Sequence, residues 1–267
     1  MTPKPILNLV CIHKDLQLCD LCTINLGSVH ALQNPVAFFV DVRFFIGGTA
    51  SVPSTNQLGY AGRDARVAFT MISAIVPAAG LSSRMGQNKL LMPFGDKSLI
   101  EHAVDTLRAS DIDEIVVVLG HEAGQVRSRL GRHEGHRVNF VHNPDYREGL
   151  STSVRAGMGA VAKGTEAIMI YLADQPLIEP DEINHLIQAF AQAKRAGKSI
   201  VIPFFENQRG NPVILDASYR AMALDIAGDV GCRRIIKRHP EQVFAVQMQT
   251  DHVVRDVDTP EDFLGVR

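Results

Sequence analysis

From Met71 onward the chain alternates short apolar, β-branched runs with amphipathic stretches, and this alternation restricts the fold more than any other sequence feature. Runs at 73–78, 114–119, 137–142, 167–172 and 199–202 read as buried strands. The stretches at 98–110, 122–130, 151–161 and 180–196 read as helices. Ser98 and Glu101 have capping-box spacing, and Ser151 or Thr152 is a candidate cap. Pro180-Asp181-Glu182 places proline and acids in a first turn. After Pro203 the regularity changes. Strands are expected at 212–215 and 243–249, helical stretches at 218–227 and 230–238, a short strand from Val253, and a helix start at Thr259-Pro260. The pattern implies an α/β fold: a three-layer α/β/α domain with a mostly parallel mixed sheet, whose ligands sit at the carboxyl ends of the strands.

The first of those strands empties into Pro77-Ala78-Ala79-Gly80-Leu81-Ser82-Ser83-Arg84-Met85-Gly86-Gln87-Asn88-Lys89. Small residues let backbone N–H groups approach a ligand, and Arg84 and Lys89 suit a polyanion. The loop is a candidate triphosphate cradle, and its spacing is neither GxxxxGK[ST] nor GxGxxG, so neither familiar motif applies. Two further candidates stand at strand ends. Asp174 closes the 167–172 run, and Pro176 stops the strand. Asp256 and Asp258 point to opposite faces if extended, so one faces the site and the other is free to cap the last helix. A carboxylate in such a place suits Mg2+, which takes oxygen ligands and bridges phosphates. Ser82 and Ser83 have no evident paired histidine, and the histidines lack ligand spacing. Group transfer at phosphorus needs chiefly positioning and charge neutralisation, which these residues supply.

Residues 1–70 read differently: neither strand alternation nor helical periodicity persists there. They are expected to be an N-terminal extension, poorly ordered or non-native, with Met71 as the functional start and 71–267 as the domain. Cys11, His13, Cys19 and Cys22 hold one CxxC without a regular second half, which argues against a zinc module. The net charge of −2 without a basic stripe gives no reason to expect nucleic acid. No apolar run reaches the length of roughly 20 residues that a membrane helix needs, so no membrane role and a cytoplasmic location are expected.

Five motifs together resemble the MobA-like nucleotidyltransferases, a branch of the GT-A-type fold, and are most similar to the molybdenum cofactor cytidylyltransferases within it. They are Pro77-Ala-Ala-Gly-Leu-Ser-Ser-Arg-Met-Gly-x-x-Lys89, Asn143-Pro-Asp-Tyr-x-x-Gly-Leu-x-Thr-Ser-Val154, Asp174-Gln-Pro176, Arg209-Gly-Asn-Pro212 and Asp256-Val-Asp-Thr-Pro-Glu-Asp-Phe263. The resemblance implies that the Ala78-Ala79-Gly80 backbone meets the base and phosphates of a nucleotide. It implies that Arg84 and Lys89 hold the triphosphate, that Asp174 and Asp258 bind Mg2+, and that Ser153 contacts base or ribose. Guanylyl-transferring relatives carry Leu-Ala-Gly-Gly in the first loop, so Ala79 and its extra methyl lean toward a pyrimidine, hence CTP. Gly210, Asn211 and Pro212 stand where many such cytidylyltransferases have Gly-His-Pro, near the acceptor. Asn211 cannot titrate near neutral pH as histidine can. Gly228-Asp-Val-Gly231 is similar to another acceptor-side segment, with Cys232 after it either a packed residue or a ligand.

The implied reaction moves CMP from CTP to the terminal phosphate of molybdopterin, already carrying molybdenum, with pyrophosphate leaving. Transient contact with a molybdenum hydroxylase or its chaperone goes with that role. Two other readings stay open here. One is a cytidylyltransferase for a sugar or polyol phosphate, which usually has proline where this chain has Asn88. The other is a non-catalytic delivery chaperone, against which the intact Lys89, Asp174 and Asp258 argue.

Overall fold

A computed structural model of the chain describes residues 71–82, 85–135, 137–224 and 232–265. The expected extension at 1–70, Arg84 and the 228–231 segment lie outside the described residues. In chain order the elements are β1 (Ile72–Ala78), a small hairpin of β2 (Pro93–Phe94) and β3 (Lys97–Ser98), α1 (Leu99–Ala109), β4 (Glu114–Leu119), α2 (Ala123–Leu130), β5 (Val138–His142) and α3 (Leu150–Ala160). There follow β6 (Ala167–Ile170), α4 (Pro180–Arg195), β7 (Ile200–Phe205), β8 (Gln208–Arg209), β9 (Val213–Asp216), α5 (Arg220–Leu224), α6 (Arg233–Arg238), β10 (Val243–Gln247) and α7 (Pro260–Gly265).

The sheet runs β10-β7-β9-β6-β1-β4-β5, with β8 folded back on β7. β1 lies parallel to both β4 and β6, whereas β9 is antiparallel to β6 and β7. Period-2 alternation divides β1 between two cores. Ile72, Ala74, Val76 and Ala78 pack with α1, α2 and α4, while Ile75 packs with Val154 and Met158 of α3 and Ile235 of α6. Helices therefore cover both faces of the sheet, the expected three-layer mixed arrangement. Ile75, Val116, Val117 and Ile168 are fully buried, and each contributes about 1.5–3 kcal/mol by leaving water.

Local signals work as expected at two helix starts. The Glu101 carboxylate accepts from the Ser98 backbone N–H at 3.0 Å and hydroxyl at 2.7 Å. Pro180 opens α4, and the Glu182 carboxylate accepts from the Glu179 N–H at 2.9 Å. Other expectations need correction. The helix expected from Ser151 or Thr152 starts at Leu150 with Gly149 as its cap, and Thr152 Oγ1 donates back to the Gly149 carbonyl inside the first turn. Residues 252–254 form a 3-10 turn rather than a strand. Pro203 lies within β7, whose strand runs on to Phe205.

Candidate active site

The carboxyl ends of β1 and β6 and the segment that follows β5 converge on one cleft of about 430 Å³, within the range of ordinary ligand pockets of roughly 300–1,000 Å³. Its floor comes from the end of β1. Ala79 accepts from the His121 N–H at 3.2 Å, and Gly120 lies so close that a Cβ there would stand 2.6 Å from the Ala79 methyl and 2.8 Å from Tyr146. Only glycine fits that position. Ala79 lines the cleft but is only 2% exposed, and its methyl packs toward Gly120 in the floor.

Beyond Gly80 the loop is pinned by its own polar groups. The Met85 N–H donates to the Ser82 carbonyl at 2.9 Å, and the Lys89 N–H donates to Ser82 Oγ at 3.1 Å. Asn88 caps a 3-10 turn at Lys89–Leu91 by accepting from the Leu90 N–H. That turn aims Lys89 into the cleft.

Asp174 follows β6, and its backbone carbonyl accepts from the Val257 N–H at 2.8 Å. This one bond draws the 256–258 segment against the end of β6. Val257 is fully buried with Met85, Leu99 and Phe263, which turns Asp258 toward the cleft and leaves Asp256 exposed. Of the two acids, Asp258 is thus the one beside Asp174. Asp256 does not cap α7; Thr259 Oγ1 accepts from the Asp262 N–H, and the Asp262 carboxylate accepts from the N–H groups of Asp258 and Thr259.

The three charged groups meet directly. Lys89 Nζ donates to Asp174 Oδ2 at 2.6 Å and to Asp258 Oδ1 at 2.7 Å. Burial lowers the pKa of Lys89, but the attraction and hydrogen bonds of Asp174 and Asp258 outweigh it, so the ammonium is held above the usual lysine value. Partial desolvation, reinforced by the charges of Asp174 and Asp258, raises Asp256 above the ordinary carboxylate range.

These carboxylates fit a divalent cation. Asp174 Oδ1 is buried without a hydrogen-bond partner, a lone acceptor in position for a ligand bond. Among the described residues no group of three or more His, Cys, Asp or Glu side chains converges. One or two carboxylates completed by phosphate oxygens and water is the donor set of Mg2+.

Opposite the acids, the loop at 143–149 supplies the other wall. Asn143 Nδ2 donates to Thr152 Oγ1 at 2.9 Å and to Ser153 Oγ at 3.1 Å, which fixes Ser153 at the start of α3 on the cleft. Tyr146 and Arg147 also line it, with the Arg147 guanidinium 5.5 Å from the Tyr146 ring centre. Sequence reasoning missed Arg147, although a cation in a loop that follows a strand was a usable signal. Gly210, Asn211 and Pro212 do not line the cleft; they stand beside it, joined through a cis Asn211–Pro212 bond. Cys232 is packed in the core, and burial pushes its thiol up to about 12, so it is a packing residue.

A mostly parallel sheet carries a small-residue loop, a lysine and two acids at its carboxyl edge, and its likeness to known proteins makes it a nucleotidyltransferase domain. The chain belongs to the family of the MobA-like NTP transferase domain, whose family model matches residues 74–243. The molybdenum cofactor cytidylyltransferase of Escherichia coli K12 is 25% identical over 74% of this chain and 97% of its own length. The nicotine blue oxidoreductase of Paenarthrobacter nicotinovorans is 30% identical over 71% of this chain and 93% of its own. Among solved structures, a nucleotidyl transferase from Methanothermobacter superposes with a TM-score of 0.62 at 25% identity, covering 74% of this chain and 97% of that one. None of the described helices is long and apolar enough to cross a membrane.

Proposed function

We propose that this nucleotidyltransferase moves CMP from CTP to the terminal phosphate of molybdenum-loaded molybdopterin and releases pyrophosphate. The observation that carries the reading is the contact of Lys89 with both Asp174 and Asp258 beneath the 78–82 backbone. In the reaction an oxygen of the acceptor phosphate bonds to the α-phosphorus. The bond from that phosphorus to the bridging oxygen breaks, and its electron pair leaves with pyrophosphate. Asp174 and Asp258 would hold Mg2+, which offsets negative charge on the phosphate oxygens. Lys89, kept protonated by its surroundings, faces the leaving pyrophosphate, joined by Arg84 in the same loop. The backbone from Ala78 to Gly80 and the Ser153 hydroxyl orient base and ribose. The Escherichia coli relative's name supports cytosine and molybdopterin as the pair. The oxidoreductase name of the Paenarthrobacter relative does not suit a cleft built from a lysine and two acids.

Pyrophosphate release measured with each NTP, with and without molybdopterin, tests the proposal. Release is expected with CTP and molybdopterin together. Release with a sugar or polyol phosphate instead would move the acceptor to that class, and another preferred NTP would overturn the base assignment. Lys89→Ala and Asp174→Ala are each expected to lose about 10²–10³ in rate while staying folded. Near-normal release by either folded variant would remove that residue from its role.

A further inference from the structure

Asp258 reaches the cleft on an arm that belongs to no strand. β10 ends at Gln247, and residues 248–258 run on through a 3-10 turn at His252–Val254. Without a ladder, the path of this arm is set by its bonds to other segments. Three such attachments follow one another along it. The outermost is Glu182, in the first turn of α4. Its Oε1 accepts from Thr250 Oγ1, and its Oε2 meets His252 Nδ1 at 3.0 Å. The same Oε2 accepts from the Glu179 N–H at 2.9 Å, which ties the anchor to the helix start. Next, Gln175 Nε2 donates to the Val253 carbonyl at 3.0 Å. Last, the Val257 N–H donates to the Asp174 carbonyl at 2.8 Å.

Two of these attachments come from Asp174 and its neighbour Gln175. The turn that presents one acid therefore also holds the arm that presents the other. Gln175 is 3% exposed and does not line the cleft, so its amide works from inside the packed protein. Packing alone does not account for that amide. Its Oε1 is buried without a hydrogen-bond partner, which costs desolvation with no return. A methionine of similar size would strand no polar atom there, and the Val253 carbonyl would keep the Asn211 N–H at 2.9 Å. What glutamine adds is one buried bond to the arm.

We propose that Gln175, with Glu182 behind it, is a positioning residue for nucleotidyl transfer, holding the arm so that Asp258 stands beside Asp174 to share a divalent cation. This role presupposes the proposed metal function of the two acids. Groups that orient metal ligands from outside commonly change affinity by about 10–100-fold when removed.

Two measurements on the full chain test it, with Mn2+ as the probe. Amide hydrogen exchange, followed residue by residue by NMR without metal, reads the arm itself. Exchange at the Val257 N–H is expected to quicken at least about tenfold in Gln175→Met, while the amides of β4 stay within about twofold of wild type. Mn2+ titration followed by electron paramagnetic resonance reads the site. Affinity is expected to fall at least about fivefold in Gln175→Met. Adding Gln175→Met to Asp258→Asn is expected to change affinity less than about twofold further, because the arm then carries no carboxylate. Thr250→Val leaves Gln175 and the Glu179–Glu182 bond in place, and it should shift both readouts in the same direction by less. Unchanged exchange at Val257, or unchanged Mn2+ affinity despite faster exchange, overturns the positioning role. So does an affinity loss as large in the Asp258→Asn background as in wild type, since Gln175 would then act elsewhere. A wild type that binds no Mn2+ refutes the shared cation, and the hold of Gln175 on the arm then stands or falls on the exchange at Val257 alone.

Discussion

Lys89 is the residue on which the site turns, because its ammonium bridges the two carboxylates suited to a metal. At 2.6 Å from Asp174 and 2.7 Å from Asp258 it neutralises part of the charge that would draw a divalent cation. A triphosphate offers that ammonium competing oxygens, so nucleotide and metal should bind with positive coupling. Mn2+ titration followed by electron paramagnetic resonance is expected to show weak binding by the free protein and tighter binding with CTP. Lys89→Met is expected to raise the Mn2+ affinity of the free protein at least about tenfold, since even at high effective dielectric a unit charge this close is worth that much. Equal affinities in the two proteins would refute the competition. Lys89, Asp174 and Asp258 were legible in the sequence because each stands beside punctuation: a glycine-containing loop, a strand ended by proline, a proline-started helix. The choice between Asp256 and Asp258 was half legible. Alternation put them on opposite faces, but only the burial of Val257 and its bond to Asp174 O decide which face is which. Arg147 and Gln175 were not read, because what makes them matter is a tertiary partner, the cleft for one and the Val253 carbonyl for the other.

At the level of elements, the join between α3 and β1 carries the site, since α3 presents Ser153 and β1 ends in the loop. That join depends on a glycine. A Cβ on Gly157 would stand 2.4 Å from Cγ2 of the fully buried Ile75. Alanine is the better helix former by about 1 kcal/mol, but overpacking a tight core costs about 1–3 kcal/mol. Gly157→Ala is therefore expected to be net destabilising in urea denaturation and to raise the CTP KM as α3 is pushed off the sheet. A more stable variant would mean that Ile75 repacks and that propensity decides. The central parallel strands were legible because both faces are buried and their sequences are continuous apolar runs. The C-terminal third was less so. Val253 looked like a strand residue, yet its carbonyl is taken by donors from two other segments instead of a ladder. The strand expected at 199–202 stopped short of Pro203, but that residue lies within β7 and its carbonyl accepts from the Gly210 N–H. Neither fact is encoded in local pattern.

Across the whole molecule, the shifted groups divide stability against pH into separate windows. Lys89 has a raised pKa, so its contribution is full below the ordinary lysine value and is lost as pH climbs through the folded one. Asp216 is depressed: burial would raise it, but its bonds with Lys194 and Ser218 prevail. Its contribution is present above the ordinary carboxylate value and is lost only as pH falls through a lower one. Between these lie two histidines around α1. Burial lowers His133, with Arg108 and Arg132 opposing its protonation and Asp105 and Glu101 favouring it. Burial and then Lys97 lower His102, against Asp105 and Asp96. For both, the unfolded chain takes up a proton near 6.5 while the folded one still declines it. The unfolded state therefore binds more protons there, and stability falls as pH drops below that value. Thermal melts of wild type are expected to lose several degrees between about pH 7.5 and 5.5, well before Asp216 titrates. His133→Gln removes one of the two groups, and its melting temperature should depend less on pH over the same interval, even if it is lower at neutral pH. A variant whose pH slope matches wild type would assign the acid loss to groups other than His133.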